Sequence, residues 1–452
     1  MSKRVCIIGS GISGLCIAHG LKKAGVDSVV FERGGAAGGN IKSELRDGFL
    51  IEYGPNSMLA SPEMLGLIEE LKITDQIAVP RPDAKRRYIV RRGRLLELPS
   101  KILGLVSSQA FSMRAKLRLL KEPLIDSSSP KDESIAAFFE RRLGKEIVDY
   151  AVDPFISGIY AGDPKKLSMR HAFPKIFELE KRSGSLIKGA LFSKKDKAAQ
   201  MPKGTPRSIT FLNGMQTMTD ALAGEIGANL RLNTTVASIE KADASSGYTA
   251  VTGQGSEKFD AVVICTPSHA AAGLVASFDP QLAAELQDIY YPPIAVVFTA
   301  FKKEQVAADA RGFGFLVPGI ERRKILGSLW TSSVFENRAP EGYHLFTTFI
   351  GGARKPELAV ETEDELIAVV REELDSILRT SGEPVFTAVK KWDKAIPQYN
   401  IGYQSVHDAI DEFRSAEPGI FFCSNFYKGI SVGDCIKNAI STAGEIKAFL
   451  DN

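Results

Sequence analysis

The sequence predicts an α/β fold built on a Rossmann-like dinucleotide-binding domain that the chain leaves and re-enters, and three stretches predict it. The first is VCIIGSGISG near the start, an apolar strand running into a glycine turn. The second is SVVFE, another apolar strand, ending on Glu32. The third is FFCSNFYKGISVGDCIKNAISTAGEIKAFL, which repeats the order strand, glycine turn, helix at the opposite end of the chain. If both turns meet one ligand, the nucleotide domain is discontinuous and the other domains are inserted into it.

Taken in order, residues 4–32 form one β-α-β unit, with VCII a strand, LCIAHGLKKAG a helix closed by Gly25, and SVVFE the second strand. From about 86 to 200 the chain turns helical, basic and strand-poor, and the loop SSSPKDES leads into a helix SIAAFFERRLG. Within this stretch, DPFISGIYAGD mixes buried aromatics with Asp-Pro, Ser-Gly and Gly-Asp-Pro turn chemistry. It fits either a tight corner between core helices or a place where Gly158 lets a large flat ligand lie against bare backbone. Strands return with LRLNTTVASIEK, YTAVTG and FDAVVICTP, and again with IAVVFTAF, KILGSLWTS and HLFTTFIGG. A helix follows over residues 363–378, EDELIAVVREELDSIL.

Composition narrows the function. With 452 residues, 44% hydrophobic and 25% charged, the chain is an ordinary globular protein of two or three domains. A net charge of +3 argues against nucleic-acid binding. The five cysteines contain no C-x-x-C pair and several lie in apolar runs, which points to a reducing compartment, no disulfide framework and no cysteine metal site. The apolar start is too short for a signal peptide, and the longest apolar run, YYPPIAVVFTAF, is too short and proline-broken to cross a membrane. No metal is expected.

Gly9-x-Gly11-x-x-Gly14, between a strand and a helix, is the dinucleotide fingerprint. The first glycine makes the turn, the second admits the pyrophosphate, and the third lets helix and strand pack closely. The helix N-terminus offers amides to the phosphates, and Glu32 can accept from ribose hydroxyls. NAD and FAD both use this arrangement. The second glycine cluster in ERGGAAGGN and the Gly-Pro turn in EYGPNS favour the longer cofactor, FAD, over a reading of both as surface turns, and GISVGDCI would supply amides near the flavin ring.

GSGISGL, ERGGAAGGN, EYGPNS, DPFISGIYAGDPKKLSM, GFGFLVP, IPQYN and GISVGDCIKNA occur in the order and spacing of the protoporphyrinogen oxidase family, which the chain resembles end to end. The resemblance implies non-covalent FAD and six-electron oxidation of protoporphyrinogen IX to protoporphyrin IX, with O2 as acceptor and H2O2 as product. It assigns Gly9, Ser10, Gly11, Ile12, Ser13, Gly14, Glu32, Arg33, Gly39, Asn40, Gly54, Pro55, Asn56, Ser57, Val236, Trp392, Ile430, Ser431 and Val432 to FAD. For substrate it implies Arg87 at a propionate, Gly158 near the macrocycle, Leu316 and Leu329 clamping one side, and Phe349 stacking. By pattern alone, those last three are strand core and Arg87 is one of a solvated basic run. The flavin carries the redox step, so no side chain is named as catalytic base. His171 lies nearest to the ligand segment and is expected to be a hydrogen-bonded structural residue.

The resulting expectation is a first FAD-binding segment over 1–85, a helical, membrane-associating insert and substrate lid over 86–203, and a second FAD-binding segment over 204–275. A mixed-sheet substrate domain over 276–390 and a third FAD-binding segment over 391–452 complete it. Residues 81–122 carry twelve Lys or Arg against three acids, interleaved with apolar residues, which suits an interfacial helix pair. Peripheral attachment at the cytoplasmic side of a membrane, or a cytoplasmic location, follows. Some of these charges could instead steer an anionic substrate. Hand-over of product to ferrochelatase and a homodimer are further expectations from the resemblance. Coproporphyrinogen III oxidase is the alternative enzyme. More distant are flavin amine oxidases, carotenoid desaturases and a flavin-free prenyl-binding chaperone like Rab GDP-dissociation inhibitor.

Overall fold

The computed structural model describes residues 3–99, 108, 110–126, 130–189, 208–242 and 247–452. Its organising element is a five-stranded parallel sheet. In spatial order the strands are Leu230–Arg231, Asp27–Phe31, Arg4–Ile8, Ala261–Ile264 and Ile420–Phe422. Strand Arg4–Ile8 is central, and Val5, Cys6 and Ile7 are buried on both faces, as continuous apolar strands of parallel sheets are. Val5 and Ile7 pack under helices Ile12–Lys23 and Val432–Asp451. Cys6 and Ile8 face a three-stranded antiparallel sheet, Val236–Lys241, Tyr248–Thr252 and Gly255–Phe259.

A seven-stranded mixed sheet forms the second layer system. Its order is Phe386–Trp392, Ile294–Lys302, Tyr343–Gly351, Ile325–Leu329, Gly314–Leu316, Arg87–Arg91 and Arg94–Leu98. Helix Glu363–Leu378 covers one face, its N-terminus closed by a capping box between Thr362 and Glu365. The sequence placed 87–98 in a helical, strand-poor insert, and the structure corrects this. Tyr88 and Val90 point to the helix-covered core while Arg87, Ile89 and Arg91 alternate with them. Arg92 and Gly93 both adopt positive φ (52° and 70°), as a two-residue hairpin turn requires. The boundary expected at 390/391 likewise falls inside a strand, since Trp392 ends Phe386–Trp392.

For residues 153–163 the structure replaces the turns expected at Asp-Pro and Ser-Gly with helix. A π-helical stretch Val148–Val152 runs into α-helix Asp153–Tyr160, with Pro154 in its first turn and Ala161 left-handed at its end. Pro154 has no N–H to donate back into the continuous helix, and the π-helical turn just before it is where the chain accommodates the missing bond. Helix Ile135–Leu143 is capped by Ser134 Oγ, which accepts from Ala137 N. Among the described residues no helix is long and apolar enough to cross a membrane.

Candidate active site: a glycine-lined cleft facing the wide sheet

Two parallel strands feed the two helices whose N-termini open on the carboxyl edge of the five-stranded sheet, where ligands of such sheets sit. Gly9 has φ 103° and donates its N–H to Phe31 O at 2.8 Å. A methyl group at Gly14 would stand well inside 3.0 Å of Gly9 O, so only glycine lets the helix approach. Gly11 differs: a methyl there meets no protein atom within 4 Å. The room above it is open.

The second glycine cluster lies against the first. Gly38 N donates to Ser10 O at 2.9 Å, and a methyl at Gly39 would come within 3.2 Å of Gly11 Cα. Glu32 reaches the same turn, accepting from Ser10 N and Ser10 Oγ at 2.9 Å each and from Gly34 N at 2.8 Å. Thr234 N donates to Glu32 O, which brings Val236 alongside, while Arg33 is exposed at the rim. Gly54 packs on the Asn40 carbonyl so closely that no side chain fits. Trp392 Nε1 donates to Tyr53 O at 3.0 Å and ties this turn to the wide sheet. Ser431 caps helix Val432–Asp451, accepting from Asp434 N at 3.0 Å, with Ile430 and Val432 half-buried on either side.

On the wide sheet, register puts four sequence-predicted residues on one face. Leu316 pairs with Gly327 and Ile89, Gly327 with Phe349, and Leu329 with Gly314. Arg87 is two residues before Ile89 and so shares that face. Leu329 is buried with Phe313 and Phe349 packed beside it, and the Arg87 guanidinium stands 4.6 Å over the Phe313 ring. Burial pulls the Arg87 pKa down, and among the described residues no acid pairs with it. Its neighbours are engaged: Arg86 with Glu97 and Asp309, Arg91 with Glu146 and the Ala110 carbonyl. The run is therefore no uniform solvated face.

Packed against the edge of this face lies helix Asp153–Tyr160. Asp153 Oδ2 accepts from Gly319 N at 2.6 Å and pairs with Arg354 at 2.7 Å, docking the helix on the loop after Leu316. A methyl at Gly158 would come within 2.7 Å of Leu316 Cδ2. Gly158 is exposed between Phe155 and Ile159, which are 44% and 42% exposed, so this side of the cleft is apolar and locally bare. A helix-interior glycine costs about 1 kcal/mol relative to alanine, and here the close approach of Leu316 accounts for it. His171 stacks on His407 at 5.3 Å with Nε2 buried and unpaired, contrary to the hydrogen-bonded role expected, and burial lowers both pKa values.

Two polar atoms at the glycine cleft are buried without a partner, Asn56 Oδ1 and Thr266 Oγ1. With the open room above Gly11, they fit a polar group lying across both glycine clusters. Thr266 was missed from sequence. The available signal was its place just beyond FDAVVI, at the carboxyl end of a parallel strand.

The fold and this cleft define a flavoenzyme: residues 12–447 match the family of flavin-containing amine oxidoreductases, and the chain belongs to it. Within that family its relatives are more particular. The mitochondrial protoporphyrinogen oxidase of Nicotiana tabacum is 36% identical, with 100% of this chain and 96% of the relative covered. The coproporphyrinogen III oxidase of Bacillus subtilis is 29% identical, covering 99% and 98%. A crystal structure from Exiguobacterium, whose protein carries a provisional protoporphyrinogen oxidase name, superposes with TM-score 0.83 at 23% identity over 99% of each chain. The cofactor is FAD.

Proposed function

We propose that this flavoenzyme oxidises protoporphyrinogen IX to protoporphyrin IX, with O2 as acceptor, over the Arg87–Leu316–Leu329–Phe349 face, beside the point where Gly158 meets Leu316. Full-length identity of 36% to a protoporphyrinogen oxidase carries this reading. The geometry adds support, because the Arg87 guanidinium, with no acid partner among the described residues, borders the apolar Leu316–Leu329–Phe349 face and suits a flat ligand with one acidic edge. Bound FAD supplies the hydride acceptor. The chain's own role is to hold the macrocycle flat against Leu316, Leu329 and Phe349, keep water away, and anchor a propionate at Arg87. Glu32, Val236, the glycines at 9, 11, 14, 39 and 54, Asn40, Asn56, Trp392 and Ile430–Val432 would hold the FAD. Its domain is then discontinuous, assembled from three separated lengths of chain.

We further propose attachment to the cytoplasmic face of an anionic membrane. Helix Met113–Leu120 and the turn after it expose Met113 (65%), Leu117 (55%), Leu120 (71%) and Leu124 (85%) at helical spacing, beside Arg114 and Lys121. The rest of the expected helix pair, around Ile102 to Val106, lies outside the described residues. Anaerobic mixing with protoporphyrinogen IX and, separately, with coproporphyrinogen III tests the activity. Flavin bleaching at least about tenfold faster with the first is expected. Equal or reversed rates would transfer the assignment to the coproporphyrinogen enzyme.

A further inference from the structure

The stretch Ile396–Asn400 touches both sides of the cleft. Gln398 Nε2 donates to the carbonyl of Tyr160 at 2.9 Å, at the end of the helix that carries Gly158. Tyr399 is buried, with its ring 6.5 Å from that of Tyr160 and 4.6 Å from that of Tyr403. Its hydroxyl donates to Asn425 O at 2.6 Å and accepts from Gly429 N at 3.0 Å. Those two atoms are the ends of the loop that delivers the chain to Ile430 and the Ser431-capped helix.

This loop has no ladder of its own. Lys428 and Gly429 both have positive φ, 68° and 130°, so side chains must set its shape. Tyr403 Oη donates to Phe426 O at 2.7 Å and Asn438 Nδ2 to Lys428 O at 3.1 Å, yet among the described residues only Tyr399 closes the loop end to end. Burial pushes the Tyr399 hydroxyl well above its ordinary pKa, so it keeps the proton that lets it donate and accept together.

We propose that Tyr399 is a positioning residue: its hydroxyl fixes the loop that presents Ile430–Val432 to the flavin, and with Gln398 it braces that loop against the substrate helix. The proposal rests on the cleft assignment above. A tyrosine of merely structural use would act through its ring, which phenylalanine keeps. Tyr399→Phe removes both hydrogen bonds and leaves the ring.

The expected variant binds FAD, but the visible absorption of the bound flavin and its midpoint potential shift. Anaerobic flavin reduction by protoporphyrinogen IX slows about tenfold while KM stays within about twofold. A folded, flavin-loaded Tyr399→Phe with native spectrum, potential and reduction rate overturns the proposal. Should the variant fail to hold FAD, 3,5-difluorotyrosine at position 399 decides, since it acidifies the hydroxyl and keeps the ring: a shifted potential supports the proposal and an unshifted one refutes it. Spectrum and potential need no substrate. Failure of the wild-type protein to oxidise either porphyrinogen would therefore sink the proposed function and leave this measurement standing.

Discussion

Gly11 and Gly14 sit three residues apart under opposite constraints, and one pair of substitutions separates them. At Gly14 a methyl group collides with the Gly9 carbonyl and stands 3.3 Å from Ile7 Cγ2, so backbone and core both resist. Overpacking of this kind costs about 1–3 kcal/mol or more, partly offset by the ~1 kcal/mol helix preference of alanine over glycine. At Gly11 the backbone (φ −66°, ψ 175°) is open to any residue, and no protein atom lies within 4 Å of an added methyl. Gly11→Val therefore costs the fold only its cap preference, under about 1 kcal/mol. The side chain instead enters the room assigned to the pyrophosphate, and FAD affinity should fall by at least ~2 kcal/mol, roughly thirtyfold. The apoprotein of Gly11→Val should melt within a few degrees of wild type yet elute colourless, whereas Gly14→Ala should melt clearly lower. Thermal melts of both apoproteins and flavin content per chain measure this. A folded Gly11→Val that keeps full flavin occupancy would refute the assignment of that space.

Arg87→Ala should raise KM for the porphyrinogen about 5- to 30-fold, since a propionate at a cleft mouth stays partly hydrated, with little change in melting temperature because no ion pair is lost. Exposed Arg94, at the far end of the same hairpin, is the control, and equal effects at both positions would count against a propionate anchor. Burial pushes the Glu52 carboxyl up from 4.5 to about 7, although it accepts from Ser43 Oγ and Met215 N. Between those values the folded state holds a proton that the unfolded chain has released, so stability should fall by at most about 3 kcal/mol as pH rises through that window and level off above it. Denaturant melts between pH 5 and 7 should show Glu52→Gln without this contribution, and a wild type whose slope matches that of the variant contradicts it. Leu117→Asp with Leu120→Asp should weaken binding to anionic vesicles by about 3 kcal/mol, roughly a hundredfold, and sedimentation with unchanged partitioning would remove this face from the membrane.

The regions of the molecule legible in the sequence are those held by local rules. GSGISG, the helix over 363–378 and the strands IAVVFTAF and HLFTTFIGG carry their period and their caps within a dozen residues. KRRYIVRRGRLLEL does not, because its second role, pairing with Gly314–Leu316, lies more than 200 residues away and its alternation is masked by arginines. Arg91 shows the same limit: only its partner Glu146 reveals that it is a structural cation. At the site, the fingerprint glycines and Glu32 meet at one turn, and register sets Arg87, Leu316, Leu329 and Phe349 on one sheet face. Thr266 needed the sheet edge to be seen, and Tyr399, although inside IPQYN, needed its contacts to Asn425 and Gly429.

The five-stranded sheet also sets a timetable. Strand Arg4–Ile8 is synthesised early, but its neighbour Ala261–Ile264 comes some 250 residues later, and Ile420–Phe422 later again. At typical rates of about 5–20 residues per second, the central strand waits roughly ten to fifty seconds for its first distant partner. During that interval Val5, Ile7, Leu15 and Ile17 share a core with Met64, Leu67 and Ile68 of helix Pro62–Glu70 and later with Met218 and Leu222, but lack Val263 and the C-terminal helix. If Ile430–Val432 hold the flavin as proposed, cofactor capture waits for them to emerge and cannot guide the early step. Cover of the N-terminal unit is therefore partial until the last helix arrives, and yield in the cell should respond to chaperone supply before it responds to riboflavin.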